Sequence, residues 1–182
     1  MLNWTVRITT LVMLLAVGIY AVGALVLPDD KRVTRSIDVA ASEAAVFNVV
    51  NDMRAFNRWS PWAELDPNTR YEYQGPRQGV GAAMSWASQS PQVGSGSQVI
   101  VASEPNDRVR LRLQFGYNQT AMAELELAPS PSGGTRVIWH LDMDFDGDIL
   151  QRYMGAFVLE GAIGRDYERG LTNLKNLLER GS

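Results

Sequence analysis

The densest run of potential metal ligands in this chain of 182 residues is Asp142-Met143-Asp144-Phe145-Asp146-Gly147-Asp148-Ile149. Acidic residues at its first, third and fifth positions, Gly at the sixth and Ile at the eighth match the opening of a calcium-binding loop of the EF-hand type. The match fails at the twelfth position, where Tyr153 stands in place of a bidentate Glu, and the residues before the run alternate as a strand where a helix is required. The run therefore reads as two outward strand carboxylates, a Gly turn and Asp148 capping a following helix, and no metal is expected. The single histidine, His140, could serve as a general base. Alternation, however, places it with Ile138 and Asp142, away from the apolar set of its strand, so no catalytic residue is expected there. With no Cys and one His, thiolate sites, Ser-His-Asp triads and multi-histidine metal sites are excluded.

Composition narrows the function further. The chain is 46% hydrophobic and 20% charged with a net charge of −3, which predicts a packed core and argues against a nucleic-acid partner. Arg108, Arg110 and Arg112 form a stripe, but they alternate with Val109, Leu111, Leu113 and Phe115, the signature of a strand with one wet face and one buried face. The next two strands repeat this pattern. Ala121, Ala123, Leu125 and Leu127 alternate with Glu124 and Glu126, and Val137, Trp139, Leu141, Met143 and Phe145 share one face. Folding the three about turns near 116–118 and 130–134 sets Arg110 and Arg112 near Glu124 and Glu126, with Arg136 opposite Glu126, as a charge ladder on the wet face.

The elements that position these faces read in the order β-α-β-β-β-β-β-β-α. Val33–Val39 is a first strand, and Ser42 caps a helix near 43–53 that carries Val46, Phe47, Val50 and Met53 at helical spacing. A second helical turn in Arg54–Trp62 ends before Pro61. Strands follow at about 70–75, 81–88, 97–104, 108–116, 119–128 and 134–145. From Ile149 to Arg180 the pattern is one long amphipathic helix interrupted by Gly155, Gly161, Gly164 and Gly170, which predicts a kink or a close approach to the sheet.

Ahead of this domain, Ile8–Leu27 holds twenty residues without a charge, enough at about 1.5 Å per residue to cross roughly 30 Å of hydrocarbon. Residues 1–30 are expected to be a transmembrane anchor with a short linker, and residues 31–182 a single domain. A cleaved signal peptide, with Ala21 and Gly23 near its processing site, is the alternative. The flanking charges, Arg7 and the amine against Lys31, Arg32 and Arg35, set no orientation.

Several motifs together carry a resemblance. They are the paired short helices ending in Trp59-Ser60-Pro61-Trp62, the Gly79-Val80-Gly81 to Trp86 strand, the Val93-Gly94-Ser95-Gly96 turn, the Glu104-Pro105 corner and the closing Tyr167-Glu168-Arg169-Gly170-Leu171. Over residues 33–180 the chain resembles the START-like (SRPBCC) superfamily of polyketide cyclases/dehydrases and lipid-transport proteins. The resemblance implies an α+β helix-grip fold, a curved antiparallel sheet around a long C-terminal helix, with a hydrophobic cavity between them. Together with the anchor over Ile8–Leu27 and the lack of a catalytic constellation, it leads to the expectation of a membrane-tethered, non-enzymatic binding domain for a lipid or other hydrophobic small molecule, without a cofactor. A cyclase- or dehydrase-type enzyme is the alternative, and a scaffold with a filled core is the third reading. Periodicity and the expected cavity mouth give the ligand-binding set as Trp59, Trp62, Met84, Trp86, Leu113, Phe115, Trp139, Met143, Tyr153 and Phe157. Core packing competes at each of these positions.

Overall fold

A computed structural model describes residues 2–116 and 119–180 of the chain. Helix α1 (Leu2–Leu25) is followed by β1 (Asp30–Val39), α2 (Glu43–Val50), a 3-10 turn (Phe56–Arg58) and six further strands. These are β2 (Arg70–Gln74), β3 (Ala83–Ala87), β4 (Ser95–Glu104), β5 (Arg108–Phe115), β6 (Gln119–Pro129) and β7 (Thr135–Asp144). α3 (Ile149–Met154), a π-helical turn (Gly155–Leu159) and α4 (Glu160–Glu179) close the chain. The seven strands form one antiparallel sheet in the order β1-β7-β6-β5-β4-β3-β2, an α+β helix-grip arrangement. α1 is long and apolar enough to cross a membrane and is exposed along most of its length.

The sequence dictates most of these elements locally. Ser42 adopts an extended backbone and accepts a hydrogen bond from the Ala45 N–H at 3.3 Å, a cap worth about 1 kcal/mol to α2. Val46, Phe47 and Val50 of α2 and Tyr167, Leu171 and Leu174 of α4 are buried in a core shared with the apolar face of the sheet. On that face lie Val109, Leu111, Leu125, Val137, Trp139 and Leu141, as strand alternation requires. α2 ends at Val50, three residues before its expected limit, because the chain turns there to bring Asp52 into the interior. The β5–β6 turn lies partly outside the described residues, at 117 and 118.

The wet face departs from the expected ladder in two places. Arg110 does pair with Glu124, its Nε donating at 2.7 Å, but Arg112 stands opposite Met122. Arg136 lies across from Ala128 on one side and Asp38 on the other, and it grips Asp38 with two bonds of 2.8 and 2.9 Å. Glu126 faces Ile138 instead. The register of β1 on β7, which the pattern within β5–β7 does not contain, decides Arg136.

Residues 142–148 serve the fold. Asp142 accepts from Arg32 on the neighbouring strand (2.8 Å), Asp144 accepts from the Asp146 N–H (2.9 Å), and Asp148 caps α3 by accepting from the Gln151 N–H (3.1 Å). His140 meets the Thr34 hydroxyl at 2.9 Å on the same face as Asp142.

The C-terminal helix contains one extra residue. Its buried positions are Gly155, Gly164, Tyr167, Gly170, Leu171 and Leu174, and the backbone over Gly155–Leu159 makes a π turn, which inserts one residue into the helical repeat. Close contacts lie beneath the helix on either side of that turn. A Cβ at Gly155 would lie 2.2 Å from the Phe145 ring, so the helix and the buried ring fit only where the side chain is absent. At Gly164 the Arg35 guanidinium occupies the space a Cβ would need, and Arg35 bonds there to Glu160 (2.9 Å) and Glu168 (2.7 Å).

Candidate functional site

A cavity of about 250 Å³ opens between the concave sheet, the first half of α4 and the loops that follow α2 and β3. Its sheet wall is Tyr71, Met84, Trp86, Gln98, Leu113, Phe115 and Leu141. Phe56, Asn57, Ser60 and Trp62 come from the loop after α2, Gln92 and Val93 from the β3–β4 loop, and Ile163, Asp166 and Tyr167 from α4.

Each wall is held by identifiable interactions. The loop after α2 is pinned by Asp52, whose carboxylate accepts from the Arg54 N–H (2.9 Å), the Ala55 N–H (3.3 Å) and the Arg77 guanidinium (2.7 Å). Asn57 then donates to the Tyr73 hydroxyl at 3.0 Å, tying the loop to β2. Trp86 donates its indole N–H to the Val93 carbonyl at 3.3 Å, and its ring passes over Gly96, where a Cβ would come within 2.6 Å of it. Gly94 completes that turn with a φ of +61°, a conformation glycine adopts without strain. Asp66 accepts from the Ser88 hydroxyl and so joins the loop after Trp62 to the end of β3.

At the rim, Trp62 donates its indole N–H to Asp166 at 3.2 Å, and Asp166 also accepts from Arg169. Tyr167 forms part of the floor and stacks on Trp139 behind it with ring centroids 3.7 Å apart, and Trp62 meets both rings edge-on. Burial pushes the Tyr167 hydroxyl far above the usual phenol range, so it stays protonated. Tyr71 is raised in the same direction for the same reason.

Of the ten residues expected at the site, five line this cavity: Trp62, Met84, Trp86, Leu113 and Phe115. Trp59 and Trp139, 1% and 3% exposed, lie behind the wall in the core, in edge contact with each other at 5.1 Å. Met143 packs against the core outside the cavity wall. Tyr153 and Phe157 are turned away from the cavity. In an unbroken α-helix Phe157 would share the face of Gly164 and Leu171, seven and fourteen residues on, but the π turn rotates everything before it by about 100°. Tyr153 instead donates its hydroxyl to the Ile19 carbonyl of α1 at 2.6 Å.

Sequence reasoning missed Asn57, Gln92 and Val93 because they sit in loops without periodicity. It missed Gln98, a polar residue 4% exposed on an inward strand position, although its alternation with Val99 and Ile100 was available as a signal. Asp166 and Tyr167 were visible only as part of a closing motif. The lining is therefore of mixed character, aromatic walls carrying two buried or half-buried amides and one carboxylate at the rim, where sequence analysis anticipated apolar residues alone.

Comparison with known proteins places this arrangement. Among solved structures, protein SA2116 of unknown function from Staphylococcus aureus superposes with a TM-score of 0.62 at 11% identity, covering 84% of this chain and 95% of its own. Protein Ms6760 from Mycobacterium smegmatis gives 0.59 at 15% identity, covering 86% and 99%. Protein CV1439 from Chromobacterium violaceum gives 0.57 at 16% identity, covering 84% and 99%. At these identities the likeness is one of fold. No curated protein matches the chain. Residues 30–179 match the model of the polyketide cyclase/dehydrase and lipid-transport family, and on that match the chain belongs to this family.

Proposed function

We propose that the domain is a membrane-tethered, non-enzymatic receptor for a small, uncharged, ring-bearing hydrophobic molecule, of the quinone or polyketide type. The observation that carries this reading is the chemistry of the lining: six aromatic side chains, three side-chain amides and no Lys or Arg among the lining residues. A fatty-acid carboxylate in this cavity would have no counter-charge and would lie near the Asp166 carboxylate, whereas a neutral carbonyl or hydroxyl finds amide partners in Asn57 and Gln98. An apolar cavity of about 150 Å³ already admits benzene, so about 250 Å³ has room for a two-ring compound. α1, with an uncharged stretch long enough to span a bilayer, supports the tether.

Calorimetric titration of the detergent-solubilised chain with a neutral naphthoquinone and with 2-naphthoate tests the charge argument, since the two share a ring system. The quinone binds and the carboxylate does not. Equal or tighter binding of naphthoate overturns the reading.

One observation favours the enzymatic alternative, the presence of the Asp166 carboxylate among the residues that line the cavity. That reading requires a bound poly-ketone to leave the protein chemically changed; recovery of the unchanged molecule from the saturated protein supports binding without turnover.

A further inference from the structure

The outward face of α3 and the π turn is apolar. Leu150 and Phe157 are 71% and 74% exposed, and Met154 and Val158 between and beside them are also exposed. They recur at intervals of four, three and one residues, which places them on one side of the helix. Such a contiguous apolar face on a water-soluble domain calls for a partner surface.

The neighbour of this face identifies that partner. α3 lies against the last turns of α1: a Cβ at Gly23 would collide with Ile149 and Tyr153, and Tyr153 donates to the Ile19 carbonyl. Arg152 donates to the carbonyls of Ala24 (3.2 Å) and Leu27 (3.3 Å) and to the Asp29 carboxylate (3.0 Å). These contacts bracket the point at which α1 gives way to Pro28-Asp29-Asp30. From Ile19 to Leu27 is about 12 Å along a helix, so α3 sits at the depth where the apolar helix leaves hydrocarbon. Val22, Leu25 and Val26 are exposed at the same end of α1, so the apolar surface runs from one helix to the other.

We infer that Leu150, Met154, Phe157 and Val158 lie in the interfacial layer of the bilayer that α1 spans, so that the domain rests on the membrane by this face and does not swing free on its linker. The inference rests on the tether proposed above. The lipid it fits is one without net charge. Asp144, Asp146 and Asp148 stand at the start of α3, and Arg152 is already committed to α1 and Asp29. Attraction to anionic headgroups has no free cation on α3 to supply it, leaving burial of the apolar face as the source of contact. The same continuous helix carries Ile163 into the cavity wall, about 9 Å along the axis from Phe157, so the bilayer surface and the cavity are separated by less than two turns.

The absence of cysteine in the native chain allows a direct test. Full-length Phe157→Cys, Met13→Cys and Glu72→Cys proteins, each labelled with bimane, are reconstituted in phosphatidylcholine vesicles with and without doxyl-labelled lipid. Phe157 and Met13 are exposed, so neither substitution disturbs the core, and Glu72 lies on β2 at the far edge of the sheet. Quenching by doxyl lipid is expected at positions 13 and 157, at least threefold above that at position 72. If position 13 is quenched while position 157 matches position 72, the tether stands and the inference fails. If position 157 is unquenched and the unlabelled Phe157→Cys protein, oxidised with copper phenanthroline, forms a disulfide between copies, the face belongs to a dimer and the inference also fails. If position 13 itself is unquenched, the tether falls and the inference with it.

Discussion

The π turn makes a quantitative prediction at two glycines of one helix. At Gly161 an added Cβ would meet only the Arg165 guanidinium, at 3.4 Å and on an exposed surface. Ala is favoured over Gly in a helix by up to about 1 kcal/mol, so Gly161→Ala gains up to that amount. At Gly155 the backbone is equally helical, with φ −60° and ψ −45°, and the same propensity gain applies. There the new methyl would stand 2.2 and 2.5 Å from Phe145 ring carbons, and the ring is 2% exposed with nowhere to retreat. Overpacking of this kind costs about 1–3 kcal/mol, which leaves Gly155→Ala roughly neutral to 2 kcal/mol destabilised. The two variants should therefore differ by about 1–3 kcal/mol, or roughly 2–12 °C in melting temperature for a chain of this size. Thermal unfolding of the full chain in detergent, followed by circular dichroism, reads the difference. Phe145→Leu removes the two nearest ring carbons, so the cost of Gly155→Ala should shrink in that background, with a coupling of at least about 0.5 kcal/mol. If Gly155→Ala melts as high as Gly161→Ala, the helix is not closely packed on the Phe145 ring at Gly155, and the packing argument is wrong.

Further outcomes follow from other contacts. Asp52→Ala removes the acceptor for two backbone N–H groups and the partner of Arg77, and it should destabilise the domain by about 1–3 kcal/mol while weakening ligand binding through the displaced Asn57–Trp62 wall; unchanged affinity in the folded variant would contradict that wall's role. Glu160 is held below the usual carboxylate range by Arg35 and then Lys31, and Asp142 is held low chiefly by Arg32. The unfolded chain therefore takes up protons first on acidification, so this stability is complete above about pH 5 and is lost as the pH falls through the ordinary carboxylate range toward the depressed folded values. Glu160→Gln should flatten the acid limb of melting temperature against pH, and an unaltered limb would show that the Arg35 cluster contributes nothing. Carbonate washing should leave the full-length chain in the membrane fraction; its release, or a mature amino terminus near Ala24, would show that α1 is not an anchor.

The strands were legible because one physical rule, alternation, acts on every residue of β5, β6 and β7, and from it Leu113 and Phe115 were placed on the inner face. The helix was legible from Gly164 onward for the same reason. Before that point the period of 3.6 misled, because the π turn over Gly155–Leu159 adds a residue that no sequence pattern announces and rotates the facing of Tyr153 and Phe157. Trp139 was assigned to the correct face of the sheet, but alternation does not separate a residue that lines a cavity from one directly behind it, and Trp59, expected near the cavity mouth, is buried in the core. Asn57, Gln92 and Val93 reach the cavity through loop contacts, Asp52 with Arg77 and Trp86 with Val93, which link positions that no periodic pattern relates.

The central claim is that the cavity is a binding site for an uncharged ring compound, and the most direct measurement is native mass spectrometry of the detergent-extracted chain and of Leu113→Trp, each with a neutral naphthoquinone. Leu113 lines the cavity and is 8% exposed, so the larger ring has empty space to enter and should cost less than the about 1–3 kcal/mol of overpacking in a filled core. The native chain should carry one ligand per protein, and Leu113→Trp should lose at least tenfold in affinity while melting within a few degrees of it. If the native chain carries no ligand, or Leu113→Trp binds as tightly as the native protein, the cavity is not the site and the account is wrong.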